Sequence, residues 1–197
     1  MKTQLFKQIG LFSLLIIGGM GMQKLQAQTN YQSNNGQITV KGTSTLHDWD
    51  MKSSRGQTKA TFALNGDQVS SITALSFTIA VESLKSDKNG LDKNAYKALN
   101  TDKHKQISFT MTSGTITPAA GNKFKVTATG NLNISGNSKR VTLTGDGQYN
   151  PADKSITVTG STSFKMSEFQ VKPPVLMMGT IKTGDDITID YQVKLIN

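Results

Sequence analysis

The chain has 197 residues, with 22 lysines and arginines against 13 acids, a net charge of +9 and no cysteine. The missing cysteine excludes a disulfide framework and a lipid-modified N-terminal cysteine, so a hydrophobic core must hold the fold together. The positive charge is nearly all lysine, scattered without a run or an arginine–aromatic cluster, and only Arg55 and Arg140 supply guanidinium groups. That pattern reads as a solvated surface and not as a nucleic-acid footprint, and it leaves open a peripheral contact with the anionic headgroups of a membrane surface.

Lys2 and Lys7 precede a run from Ile9 to Met22 made of apolar residues, glycine and one serine, and Leu25-Gln26-Ala27 closes it on a small residue. Residues 1–27 therefore read as a secretory signal peptide cleaved after Ala27. The run is shorter than the roughly 20 residues a membrane-spanning helix needs, and its glycines weaken any helix there. An exported protein, periplasmic or secreted, is expected. Residues 28–197 remain as one domain of 170 residues, large enough to bury a sizeable core. The removed segment carries Lys2, Lys7, Lys24 and no acid, which lowers the net charge from +9 to +6.

From residue 36 onward apolar side chains recur at every second position, the period of a half-buried antiparallel strand. Strands are expected at 37–42, 58–64, 69–82, 106–116, 123–134, 140–149, 155–167 and 186–196, eight in all. Asn65-Gly66-Asp67, Gly121-Asn122, Gly136-Asn137 and Asn150-Pro151-Ala152-Asp153 are short turn-forming links, so neighbours in sequence pair as an up-and-down meander. The exception is 89–101, where Leu91, Ala95, Ala98 and Leu99 fall at helical spacing, Asp87 or Asn89 can cap the start, and Asp92 suits the first turn. Eight long strands in an open sheet would leave two exposed edges, and closure into a barrel removes them. Gly130, Gly145, Gly147 and Gly160, inside strands, suit the sharp bends that closure requires, where a side chain would obstruct or a bulge forms. The expectation is an all-β, eight-stranded antiparallel barrel with one short helical insertion.

Two segments stand out for chemistry. Gly42 to Asp50 (GTSTLHDWD) is the densest polar cluster and holds the one tryptophan. A lipid-modifying enzyme would use His47 and Asp48 as base and acid, yet adjacent residues in an extended strand face opposite ways, and no serine elbow is present. A metal set from His47, Asp48 or Asp50 with His104 and Asp102 is thin material, with two histidines in the chain. The bland alternative is that His47 and Trp49 plug one barrel end. The second segment, Phe164 to Gly179, is an apolar connection with Pro173, Pro174 and three methionines, in a place where loops are normally polar. It must cover something, either a ligand or the barrel end itself. A third alternative for function is a surface interaction module whose barrel is solid.

Taken together, Gly42 to Trp49, Ser83-Leu84-Lys85-Ser86 with Leu91-Asp92 and Tyr96, Lys103 to Phe109, Gly130 to Gly136 with Val141-Thr142-Leu143, and Phe164 to Asp186 resemble the YceI family of exported lipocalin-like proteins. Two departures from the family pattern are visible. Lys105-Gln106 stands where a proline is common, and Glu168-Phe169-Gln170 stands in place of Asp-Phe-Gly. The resemblance implies a lipocalin-like barrel, not an enzyme, whose pore holds a polyisoprenoid or similar long-chain amphiphile, and no cofactor or metal is called for. Strand parity would then place Phe77, Ile79, Phe109, Met111, Phe124, Val126, Phe164 and Met166 along the pore. Leu91, Tyr96, Phe169, Pro173, Leu176 and Met177 would shape its mouth, with His47 and Asp48 as polar contacts.

Overall fold

The computed structural model describes residues 28–197, and the leader expected at 1–27 lies outside the described residues. Strands β1 (Gln28–Ser44), β2 (Trp49–Asn65), β3 (Gln68–Ala80), β4 (Gln106–Pro118), β5 (Lys123–Ile134), β6 (Asn137–Asn150), β7 (Ser155–Lys165) and β9 (Ile181–Leu195) form an antiparallel meander, with helix α1 (Asn89–Ala98) between β3 and β4. Pairing of β1 with β9 closes the eight into a barrel. The two-residue β8 (Val175–Leu176) pairs with the start of β9 in the connection after β7.

Alternation does the work the sequence promises. In β5, Phe124, Val126, Ala128, Leu132 and Ile134 are buried while Lys123, Lys125 and Asn131 are exposed. The alternation fails where the ladder carries an extra residue. Register shifts fall at Ser33–Ile38 against β2, at Thr61–Leu64 against β3, and at Met111–Ser113 against β5. Each shift exchanges the inward and outward faces, as an extra residue in one strand must. Of the glycines singled out from sequence, Gly130 pairs with Met111 at the last of these shifts, and Gly145, Gly147 and Gly160 lie away from them. Gly147 and Gly160 serve close approach: a Cβ on Gly147 would run into the Phe124 ring, and one on Gly160 would stand 2.5 Å from the Tyr191 ring.

One barrel end is filled. Tyr31, Phe62, Val69, Phe124, Tyr149, Ile156 and Leu195 form a dry cluster, with edge-on ring pairs Tyr31–Phe62 at 5.8 Å and Phe62–Phe124 at 6.2 Å. Each such buried side chain contributes about 1.5–3 kcal/mol, which makes this end the anchor of the fold. The other end is ringed by the β1–β2 loop, α1, the Ile134–Asn137 turn and the β7–β9 connection.

Helix α1 is shorter than the 89–101 expected, because Asn100 takes a left-handed φ of 51° and ends it. Thr101 N–H reaches the Tyr96 carbonyl and Asn100 N–H the Lys97 carbonyl, a Schellman closure that satisfies two orphan carbonyls. At the start, Lys88 and neither Asp87 nor Asn89 takes the N-cap position, with no side-chain cap. Asp92 in the first turn instead reaches back to accept the Ser86 N–H at 2.8 Å and its hydroxyl at 2.7 Å.

Two stretches of the barrel wall are unzipped. β3 and β4 pair only from Ser76↔Thr110 to Ala80↔Gln106, and β6 and β7 only from Gly145↔Gly160 to Asn150↔Ser155. Past Gly145 a slot therefore opens toward the unfilled end, between β6 residues 137–144 and β7 residues 161–165.

Candidate ligand pore

Above the aromatic anchor the barrel is hollow. An inner cavity of about 160 Å³ reaches down to Phe62, Ile72, Val126 and Val158. An outer cavity of about 370 Å³ lies under α1 and the β7–β9 connection. Val40, Leu84, Ile107, Ile134, Phe164 and Ile189 line both, so the two meet at a waist and make one pore, blind at the anchor and open at the rim. The inner wall is almost wholly apolar, and its polar groups are Thr58, Thr144, Thr162, Gln192 and the Tyr191 hydroxyl. That hydroxyl donates to the Thr144 carbonyl at 2.7 Å, and burial raises its pKa.

The residues expected along the pore separate by depth. Phe77, Ile79, Phe109 and Val126 line the inner cavity, Phe164 the waist, and Met166 the outer cavity. Phe124 is instead part of the aromatic anchor, 3% exposed. Met111 packs among the core clusters beside the Met111–Ser113 shift and lines neither cavity. At the mouth, Leu91, Phe169 and Leu176 line the outer cavity, as does Pro174 in place of Pro173. Tyr96 sits behind the wall, its hydroxyl donating to the Leu84 carbonyl at 2.6 Å, and Met177 points into solvent.

Parity in β9 also turns apolar residues inward: Ile187 and Ile189 line the outer cavity, and Ile189, Tyr191, Val193 and Leu195 the inner one. Ile38 and Val40 of β1 were equally legible. Leu84, which lies outside any strand, had no periodic signal.

The polar cluster at 42–50 builds the rim. Ser44 Oγ accepts the Leu46 and His47 N–H groups and donates to the His47 carbonyl at 2.7 Å, so the hydroxyl is spent on the turn. His47 Nε2 lies 3.1 Å from Lys88 Nζ and its Nδ1 2.7 Å from the Asp48 carbonyl. With the ammonium donating to Nε2, the neutral ring carries its proton on Nδ1 and donates it to that carbonyl. His47 faces the outer cavity, whereas Asp48 faces a separate recess outside the wall, so the two do not meet as base and acid. Trp49 lies flat on Gly42, where a Cβ would stand 2.2 Å from the ring, and its Nε1–H donates to the Thr43 carbonyl. His104 packs on the Gly136 turn. Among the described residues no three His, Asp or Glu side chains converge as a metal set.

The far side of the rim is pinned by Asp185, which accepts the Ser167 hydroxyl and N–H; those bonds, the hydroxyl's first, hold its carboxyl below the usual carboxylate value. Phe169, 1% exposed, packs against Phe164 at 4.9 Å, and Glu168 accepts the Lys165 N–H. Gln170 sits at φ 57°, a left-handed conformation that glycine adopts without strain.

A model of the YceI-like domain matches residues 30–195. The chain belongs to the YceI family. No curated protein matches the sequence. Among solved structures, the YceI-family barrel here is similar to Burkholderia cenocepacia BcnA, with a TM-score of 0.63 at 18% identity over 82% of this chain and 96% of that one. It is similar to a polyisoprenoid binding domain from Saccharophagus degradans implicated in plant cell wall breakdown, with a TM-score of 0.62 at 10% identity over 86% and 99% of the two chains. A Campylobacter jejuni YceI protein gives 0.53 at 19% identity over 71% and 82%. At such identities these likenesses speak to the fold.

Proposed function

We propose that this YceI-family protein is an exported, non-catalytic binding protein that carries or sequesters a polyisoprenoid, or a similar long-chain amphiphile, with the tail in the blind pore. Residues 1–27 serve as a signal peptide, and the protein works in a periplasm or outside the cell. The observation that carries the reading is one continuous apolar pore, closed by an aromatic anchor and open at a rim that holds the polar groups. An engineered apolar cavity of about 150 Å³ takes one benzene-sized molecule. The inner cavity, of about 160 Å³, thus has room for a short hydrocarbon segment, and the outer cavity for more. Each isoprenyl unit buried contributes about 3–4 kcal/mol at about 0.8 kcal/mol per carbon. Three units support micromolar binding after ordering costs.

The polyisoprenoid binding ascribed to the Saccharophagus degradans domain supports the same ligand class. The pore residues Phe77, Ile79, Phe109, Val126, Phe164 and Met166 grip the tail, and Leu91, Phe169, Leu176 and His47 meet its head end. His47, engaged by Lys88 and a backbone carbonyl, has no carboxylate to orient it as a base. A peripheral contact with a membrane surface belongs to this reading, since the open rim must meet the source of a lipid. Solvent extraction and mass spectrometry of purified protein should recover a stoichiometric lipid. Repeatedly empty preparations that also fail to take up added polyprenol would sink the proposal.

A further inference from the structure

Apart from Ile196 near the C-terminus, the large apolar side chains that stand in solvent gather at one place. Leu46 is 65% exposed, Val175 58%, Met177 74% and Met178 fully so, and all lie on the two loops that overhang the pore mouth. These loops are joined: Thr45 N–H donates to the Lys182 carbonyl at 2.9 Å, Thr45 Oγ1 to the Thr180 carbonyl, and Lys182 N–H to Thr45 Oγ1. The tip turns through Met177, Met178 and Gly179 at φ 50°, 53° and 98°, which holds both methionines outward where a polar turn would have served. An outward apolar tip of this kind is a contact surface, not a core element.

Lysines gather around the same tip. On the wall some cations are matched, as in Lys41–Asp190, Lys125–Asp146 and Lys194–Asp153, while Lys59, Lys123, Lys139 and Arg140 are spread over separate strands. Around the mouth, Lys172 and Lys182 flank the tip, Lys88 meets only His47, and Lys93 and Lys97 stand exposed on α1. None of these five is in an ion pair among the described residues. Of the acids at this end, Asp50, Asp92 and Asp186 pair with Lys52, Lys85 and Lys165, Asp185 accepts from Ser167, and Asp48 and Asp87 are in no ion pair among the described residues.

We propose that the tip formed by Leu46 and Val175–Met178 inserts into an anionic lipid surface, with Lys172, Lys182 and Lys88 on the headgroups, so that the pore mouth opens against the membrane. The occupant is a bilayer because apolar side chains and unmatched cations sit on one rim, the pairing that an interfacial anchor uses. Leu46, Leu176 and Lys88 also line the outer cavity. A lipid tail leaving the bilayer therefore meets a continuous apolar path. The inference rests on the lipid-binding reading for its purpose but not for its test.

The test is co-sedimentation of the purified protein with vesicles of phosphatidylcholine, with and without phosphatidylglycerol. Variants Val175→Asp/Met178→Asp and Lys172→Glu/Lys182→Glu change residues that line neither cavity. The wild type should bind the anionic vesicles at least about tenfold better than the neutral ones, with binding weakening as salt rises. Each variant should lose about tenfold on the anionic vesicles yet take up polyprenol from detergent micelles as the wild type does. Equal binding by wild type and variants, or no preference for anionic vesicles, overturns the inference. So does self-association that Met178→Asp abolishes without any vesicle binding, which would assign the tip to a second copy. Vesicle binding by a protein that takes up no polyprenol would leave the membrane contact standing and remove the lipid-carrier reading.

Discussion

Asp92 shows how one side chain can organise the rim. Burial pushes its carboxyl up, but the Ser86 N–H and hydroxyl, with Lys85 farther off, outweigh burial and hold it below its ordinary value. A group depressed on folding stabilises the native state above its unfolded value, and that stability is lost as pH falls through the folded value. Asp153 follows the same rule, held at about 2 by the Ser155 hydroxyl and Lys194. Asp92→Ala should cost about 1–2 kcal/mol at neutral pH, because the Ser86 donors lose their acceptor. In urea titrations, wild type and variant should draw together as pH drops below about 4. A constant gap down to pH 2 would show that packing and not charge is what Asp92 supplies. The sequence placed Asp92 in the first turn correctly, whereas the serine it would reach back to was not legible, because Ser86 lies in an irregular stretch without a period.

Strands were legible where burial alternates and invisible where it does not. Residues 28–36 carry Tyr31 as their one large apolar residue, and the backbone ladder to β2 alone extends β1 over them, so a reading that began at 37 missed its first half. In β2, Trp49 and Met51 are followed by residues 52–57 without a large apolar side chain, on the partner side of the same register shift, so its first half was missed as well. Met111 was put on the pore wall because parity carries no warning that an extra residue lies next to it. Phe124 does point inward, but depth along a barrel cannot be read from parity, and it lies in the anchor. The unzipped slot between β6 and β7 was likewise out of reach, since both strands alternate normally through it. Over 137–144, β6 is bonded to β5 but not to β7, so amides facing β5 should resist hydrogen exchange while alternate ones exchange at least about tenfold faster. Uniform protection along β6 would mean that the slot is closed in solution.

At the scale of the molecule, the barrel divides its length between an end that stabilises and an end that receives. The closed end is filled by the buried rings of Tyr31, Phe62, Phe124 and Tyr149, and the open end leaves inward side chains such as Ile38, Val40, Leu143 and Phe164 only half-buried. A ligand that fills the open end binds the folded state alone, and its affinity must therefore appear as stability. At about 100 times its Kd a polyprenol adds about 2.7 kcal/mol, which raises Tm by about 5–10 °C for a domain of this size. Val40 stands at the waist shared by both cavities, paired with Ile189 across the β1–β9 seam that closes the barrel. Val40→Phe adds bulk in space that the empty pore already provides, so it should cost no more than about 1–2 kcal/mol in the free protein. The filled waist should confine a tail to the outer cavity and remove most of the thermal shift. Calorimetry on both proteins with and without polyprenol makes the comparison. A Val40→Phe protein that gains as many degrees as the wild type would show that the tail never passes the waist, and that the inner cavity is packing space and not part of the pore.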